Sequence, residues 1–299
     1  MRRRSNLGRP GMAEYITTDR DPGSHVGYIT LDRGACGNAF DSNMVRQFCE
    51  ALTAHEEDDA IKAIVLRANG PHFSTGVHIA EIAEIFRPAP AERNEKRKLL
   101  NQRIRLTHGR DLWWGPEGLC QRLLHCPKIT VVAAHGDCFE TGLYFALYAD
   151  LTIADPSARF GNPKWAQIGV DGDISMLIAA VGLRRAKELI YCNRIWSAEQ
   201  ALAYGLIDAV VPGDRLNAEA LQLARDCATI MRDAIAAEKA IVVASLARMQ
   251  IAMGMAAGAV LSGWATNVHF REGEFNMLKA VRDFGQDEAI DRARAYFDF

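Results

Sequence analysis

The segment Phe73–Ile79, FSTGVHI, offers main-chain amides rather than a reactive side chain. It follows an apolar run, IKAIVL at Ile61–Leu66, and an Asn69-Gly70-Pro71 turn. A strand that ends in a small-residue loop and reopens as a helix aims backbone N–H groups at one point. Such a point can hold a developing oxyanion. A second segment has the same layout: ITVVAA at Ile129–Ala134, a His135-Gly136 turn, then Thr141-Gly142 opening LYFALYAD. Taken singly, a Ser-Thr-Gly turn is only a turn. Taken together, two such units could supply one N–H apiece to a shared carbonyl oxygen. No Ser/His/Asp nucleophile elbow accompanies them. His78 and His135 adjoin the two loops and fit structural roles.

The elements around these loops follow from periodicity. Val26–Leu31 reads as a strand, and Ser42 as the cap of a helix carrying Val45, Phe48 and Leu52 at helical spacing. Ile61–Leu66, Ile129–Ala134 and Leu151–Ala154 read as further strands, with a helix at 142–149. The stretch Glu81–Gln121 is charged and broken by proline; RNEKRK at 93–98 reads as a solvated helix face. Ile174–Val181 and Arg184–Tyr191 read as helices separated by Gly182. Ser197–Gln200 matches a capping box. Strand and helix alternate up to Pro212, which predicts an α/β layered core. Beyond it only helical patterns occur. The predicted organisation is a basic leader at 1–11, a core at 12–212 and a helical region at 213–299.

Composition narrows the class. The chain has 299 residues, 49% of them hydrophobic and 24% charged, enough to bury a full core. A net charge of -2 provides no basic field for nucleic acid. Seven cysteines, none in a CxxC pair, predict reduced thiols in a cytoplasmic protein and no structural zinc. The leader lacks an apolar core, so it predicts no secretory signal. The run Ile241–Val260 is interrupted by Arg248 and Gln250 and reads as a packed helix rather than a membrane span.

Five segments in order resemble the crotonase superfamily, the enoyl-CoA hydratase/isomerase family. They are GYITLDRGACGNAF from Gly27, FSTGVHIAEI from Phe73, ADLTIADPSARFG from Ala149, AVGLRRAKELI from Ala180 and SAEQALAYGLIDAVVP from Ser197. The resemblance implies a spiral of ββα units with a C-terminal helical oligomerisation region, assembled as a homotrimer or a dimer of trimers. It implies a coenzyme A thioester whose carbonyl oxygen sits between the N–H groups of Val77 and Thr141, with Thr141 standing where glycine is usual. Contacts to CoA fall on Ala35, Cys36, Thr75 and Ile79. No metal is implied, and no cofactor beyond the CoA carried by the substrate.

The catalytic positions depart from the hydratase pattern. Where hydratases carry two glutamates, this chain has Tyr144 and Lys164. The segment WAQIGVDGDIS, Trp165–Ser175, instead resembles 4-chlorobenzoyl-CoA dehalogenases, in which a tryptophan and an aspartate eight residues later face the substrate; Trp165 and Asp173 have that spacing. Asp173 then serves as acid/base or nucleophile, as a helix cap, or as both. The dehalogenase histidine is missing: alignment on the Trp113-Trp114 pair places Gly115 there, and ungapped alignment back from ITVVAA places Glu117, which is either a substitute base or a surface glutamate. Tyr144 either touches substrate or packs its helix; Lys164 either pairs with Asp173 or binds a polar substrate group. The expected activity is acyl-CoA lyase, hydratase or isomerase chemistry through an enolate. A dehalogenase-like or β-diketone-cleaving hydrolase and a catalytically silent assembly protein are the alternatives.

Overall fold

The computed structural model describes residues 14–85, 109–163, 174–249, 251, 253–254, 256–257 and 270–297. Its centre is a six-stranded sheet. β1 (Ile16–Arg20) lies antiparallel to β2 (Val26–Leu31), and β2 pairs in parallel with β3 (Ala63–Ala68). β4 (Ile129–Ala134), β6 (Leu151–Ala154) and β9 (Ala209–Val210) extend the sheet in parallel. A smaller sheet holds β5 (Asp137–Phe139), β7 (Arg159–Gly161) and β8 (Ile195–Ser197).

The apolar strand runs are continuous because both faces of the large sheet are covered. Alternate side chains divide between two cores. Ile29, Leu31, Ile64, Leu66, Val132 and Ala134 face the main core, with α1 (Ser42–Glu56) and α4 (Thr141–Tyr148). Val26, Tyr28, Ala63, Val65, Val131, Ala133 and Ile153 face α7 (Leu216–Cys227), which presents Leu216, Ala220 and Ala224. The alanines let that helix seat close to the strands. Lys62 Nζ donates to the carbonyls of Ala228 and Ile230 at 3.0 Å each, satisfying acceptors just past the C-terminus of α7.

One ββα unit occurs twice. β4 enters the large sheet, β5 the small one, and α4 follows; β6 and β7 repeat this before α5 (Ser175–Tyr191). β3 begins a related unit, with one bridge pairing Ser74 to Cys138 before α2 (Ile79–Ile85). α3 (Leu119–Leu124) and α6 (Ala198–Ala203) fill the connections, and α6 carries the expected Ser197/Gln200 capping box. α8 (Arg232–Arg248), α9 (Met277–Phe284) and α10 (Gln286–Phe297) complete the described chain. α8 is anchored by its own buried Lys239, which donates to Lys128 O at 3.0 Å and to the Asp150 carboxylate. No described helix is long and apolar enough to cross a membrane.

Several expected boundaries move. The strand expected at Ile61–Leu66 runs from Ala63 to Ala68, because Ile61 N–H closes a turn onto Asp58 O at 3.0 Å. The cap of α1 is Asp41, whose carboxylate accepts from Met44 N–H at 2.8 Å, while Ser42 N–H donates to Glu81. The break expected at Gly182 is present: α5 is two helical stretches joined across a kink, where Gly182 leaves helical geometry at φ 78° and ψ 159°.

His55, at the end of α1, gives a pH dependence. It is buried against Tyr28 O, 2.9 Å from Nε2. Burial holds its pKa below the usual 6.5, partly opposed by that hydrogen bond. Above pH 6.5 the folded and unfolded chains are both neutral here, and the stability is intact. Below that pH the unfolded chain takes up the proton first, so stability falls down to the folded pKa. Chemical denaturation of the wild type between pH 5 and 8 should therefore slope more steeply than that of His55→Gln; parallel curves would discard this role.

Candidate active site

Three loops are stitched together by backbone hydrogen bonds. Phe73 N–H donates to His135 O at 2.8 Å, Ser74 N–H to Asp137 O at 3.0 Å, and Phe139 N–H to Ser74 O at 2.9 Å. On the other side, Thr75 N–H donates to Gly37 O at 2.9 Å, Phe40 N–H to Gly76 O at 2.8 Å and His78 N–H to Phe40 O at 2.7 Å. Ser74 Oγ donates to Asn38 O at 2.9 Å and accepts from Gly76 N–H at 3.2 Å. Residues 34–40, 73–78 and 135–142 thus hold one another at fixed spacing.

This pairing decides which amide is available. Phe40 and Val77 form a parallel bridge in which Phe40 supplies both hydrogen-bonding groups. Val77 N–H has no acceptor among the described residues. Gly76 precedes it at φ +105°, and a Cβ there would lie 3.0 Å from Glu140 Oε2 and 3.1 Å from Glu140 Cβ. The second loop therefore touches the first at the residue before Val77. Gly142 is equally confined, since a Cβ on it would come within 2.8 Å of Ser74 O.

Glu140 occupies this junction. It is buried, at φ 44° and ψ −95°, and forms the N-cap of α4. Its N–H donates to Gly161 O at 3.0 Å, and its carbonyl accepts from Tyr144 N–H at 2.9 Å. Its Oε2 accepts from Thr141 N–H at 2.9 Å and Thr141 Oγ1 at 2.6 Å. The amide expected to polarise a thioester is thus held by a carboxylate. Residue types place Glu140 on a glycine-containing turn, but they do not give its direction. The signal available was one charged residue within the apolar stretch CFETGLYFAL.

The remaining expected residues are spread around these loops. Ala35 and Cys36 lie exposed in a short 3-10 turn, Gly34–Cys36; Thr75 is half-buried and Ile79 buried. Arg33 near this turn is engaged by Ala39 O and Asp41 at 2.9 Å each, and its guanidinium covers the Tyr15 ring. Tyr144 is 1% exposed, with its ring edge-on to Trp114 at 4.8 Å. Its burial makes it a core residue of α4. Phe145, next to it, meets Phe40, Phe48 and Phe73 behind the loops. Glu117 faces solvent, its side chain 84% exposed and 3.9 Å from Arg122. His78 is held below the usual imidazole pKa by burial and then by the Arg33 cation, so it is neutral at pH 7. Lys164, Trp165 and Asp173 lie outside the described residues. Among the described residues no group of three or more metal-ligating side chains could hold an ion.

A pleated core of ββα units with paired glycine turns defines a fold class, and comparison with known proteins gives it a family. The enoyl-CoA hydratase/isomerase family profile matches residues 21–278. A solved enoyl-CoA hydratase/isomerase from Xanthobacter autotrophicus Py2 is 27% identical, with a TM-score of 0.79 over 95% of this chain and 98% of that one. A "Probable enoyl-CoA hydratase" of Rhizobium meliloti (strain 1021) is 30% identical over 72% of this chain and 76% of its own. The 2,3-dehydroadipyl-CoA hydratase of Escherichia coli (strain K12) is 29% identical over 71% of this chain and 75% of its own. The chain belongs to the enoyl-CoA hydratase/isomerase family and has its crotonase fold.

Proposed function

We propose that this protein is an enzyme acting on an acyl-CoA thioester through an enolate. The observation that carries this reading is the locked contact between the two loops. It brings the uncommitted Val77 N–H beside the turn that carries Thr141 N–H. Two amides on loops fixed by main-chain bonds can receive a developing enolate oxygen, and one such donor is worth about 3 kcal/mol in the transition state. Relatives named for hydration of CoA thioesters support the substrate class.

The chemistry differs from that of a two-glutamate hydratase, because Tyr144 and Lys164 stand at those positions. Asp173 is the proposed acid/base, with Trp165 and Lys164 as substrate-facing groups. Ala35, Cys36, Thr75 and Ile79 line the CoA entrance. The reaction class is lyase, hydratase or isomerase. A homotrimer or dimer of trimers is the proposed assembly. In its support, α8 leaves Ile241 57% and Val242 55% exposed, with Met231 and Met249 exposed at its ends.

Incubating the protein with a mixed acyl-CoA library and weighing the bound species by native mass spectrometry tests the reading. A retained thioester, with free CoA binding more weakly, is expected. Binding of free CoA and of every thioester at the same strength would remove the carbonyl-directed site.

A further inference from the structure

We propose that Glu140 is a gate built into the oxyanion cradle: its carboxylate holds the Thr141 amide in the resting protein and must leave before a substrate carbonyl can enter. This rests on the acyl-CoA reading above and specifies how that site is controlled. Glu140 Oε2 already accepts the 2.9 Å bond from Thr141 N–H that a thioester oxygen would need. The hydroxyl of the same threonine adds a second bond at 2.6 Å. The oxygen lies beside Gly76, one residue before the other donor, Val77. The Thr141 half of the cradle is therefore taken by a carboxylate oxygen of this chain, while the Val77 N–H has no acceptor among the described residues.

Two features make this an arrangement imposed by the fold rather than a chance rotamer. First, φ 44° with ψ −95° is a strained backbone for glutamate, outside the small left-handed well. Gly161 O and Tyr144 N–H hold the peptide units on either side of it. Second, Gly76 has no Cβ, and a Cβ would crowd both Glu140 Oε2 and Glu140 Cβ. The first loop thus provides the room in which the carboxylate sits. The strain fixes where the side chain begins. Opening the gate requires rotation about the side chain's own χ angles, which leaves the backbone bonds between the loops in place. Thr141 contributes through its hydroxyl, which only a serine or threonine could offer here. The side chain at a position where glycine is usual thereby favours the closed state.

Substrate must compete with the bonds from Thr141 N–H and Oγ1, so removing the carboxylate should tighten acyl-CoA binding by roughly ten- to a hundredfold. The experiment is calorimetric titration of the full-length wild type, Glu140→Gln and Glu140→Gly with acetoacetyl-CoA and with free CoA. Glycine accepts the backbone angles, and glutamine keeps the shape while losing the charge. The expected result is tighter acetoacetyl-CoA binding in Glu140→Gly, an intermediate affinity in Glu140→Gln and unchanged free-CoA affinity in both. Sodium acetate should occupy the vacated cradle of Glu140→Gly, weaken its acetoacetyl-CoA binding and leave the wild type unaffected. Equal affinities in all three proteins would overturn the gate and leave the acyl-CoA reading standing. Loss of turnover in both variants with affinity unchanged would also overturn it, making Glu140 a proton-transfer group instead. If acetate binds Glu140→Gly but not the wild type, while neither binds acetoacetyl-CoA, the gate stands and the acyl-CoA reading fails.

Discussion

Asp173→Asn is expected to lower turnover by about two to four orders of magnitude with little loss of stability. Asparagine preserves the shape of aspartate and its ability to cap a helix, so the substitution isolates charge and proton transfer. The described chain resumes at Ile174, which precedes the first helical residue, Ser175, so Asp173 adjoins the start of α5. A capping role alone would show the opposite pattern: at most about 1 kcal/mol in the unfolding free energy and intact turnover. Measuring kcat and the denaturation midpoint on one preparation separates the two. A fully active variant would take Asp173 out of the mechanism and turn the search to Glu140.

The second large effect concerns Gly136, at the turn between β4 and β5. Gly136→Ala is expected to destabilise the fold by about 2–4 kcal/mol. The position has φ +56°, and a Cβ would lie 2.1 Å from Pro71 O and 3.0 Å from His72 Cα. Neither neighbour can yield freely, because Phe73 and Ser74 are bonded to His135 and Asp137 on either side of the glycine. Gly205→Ala supplies the control. It also has positive φ, +79°, but its nearest neighbour is Ala180 O at 3.7 Å, so only conformational strain of about 1 kcal/mol is expected. Equal losses in the two variants, by equilibrium denaturation, would show that the contact between loops carries no energetic weight.

Strands buried on both faces were the most legible part of the fold. Val26–Leu31, Ile129–Ala134 and Leu151–Ala154 are apolar runs bounded by turns, and their limits match the ladder. Ile61 misled because a residue can be buried in a turn as fully as in a strand. β5, β7 and β8 are three residues each, too short for any period to register, so the small sheet leaves no signature in the sequence. β1 exposes four of its five residues, so it lacks the apolar signature of the strands it flanks. At the site, the two glycine turns are visible in the sequence, but the hydrogen bonds that join them run between residues far apart in the chain and leave no local signal. The same is true of Glu140. Its direction depends on a strained φ, on Gly161 from a later strand and on the missing Cβ of Gly76 in another loop. None of these is a local property of the residues around it. Glu117 drew attention through alignment alone, and exposure is a property that alignment does not carry.

The loop seam is made largely of peptide groups, with Ser74 Oγ, Thr75 Oγ1, Asn38 Nδ2 and His72 Nδ1 as side-chain additions. A peptide N–H survives nearly every substitution at its own position, and side chains do not. The scaffold that presents the amides can therefore persist while the side chains beside it change. Glycines that admit no Cβ, such as Gly136 and Gly142, are where that tolerance stops. Mutational freedom is thus unevenly distributed here. Variant libraries aimed at new chemistry should leave the glycines of the seam untouched and sample the side chains that overhang it.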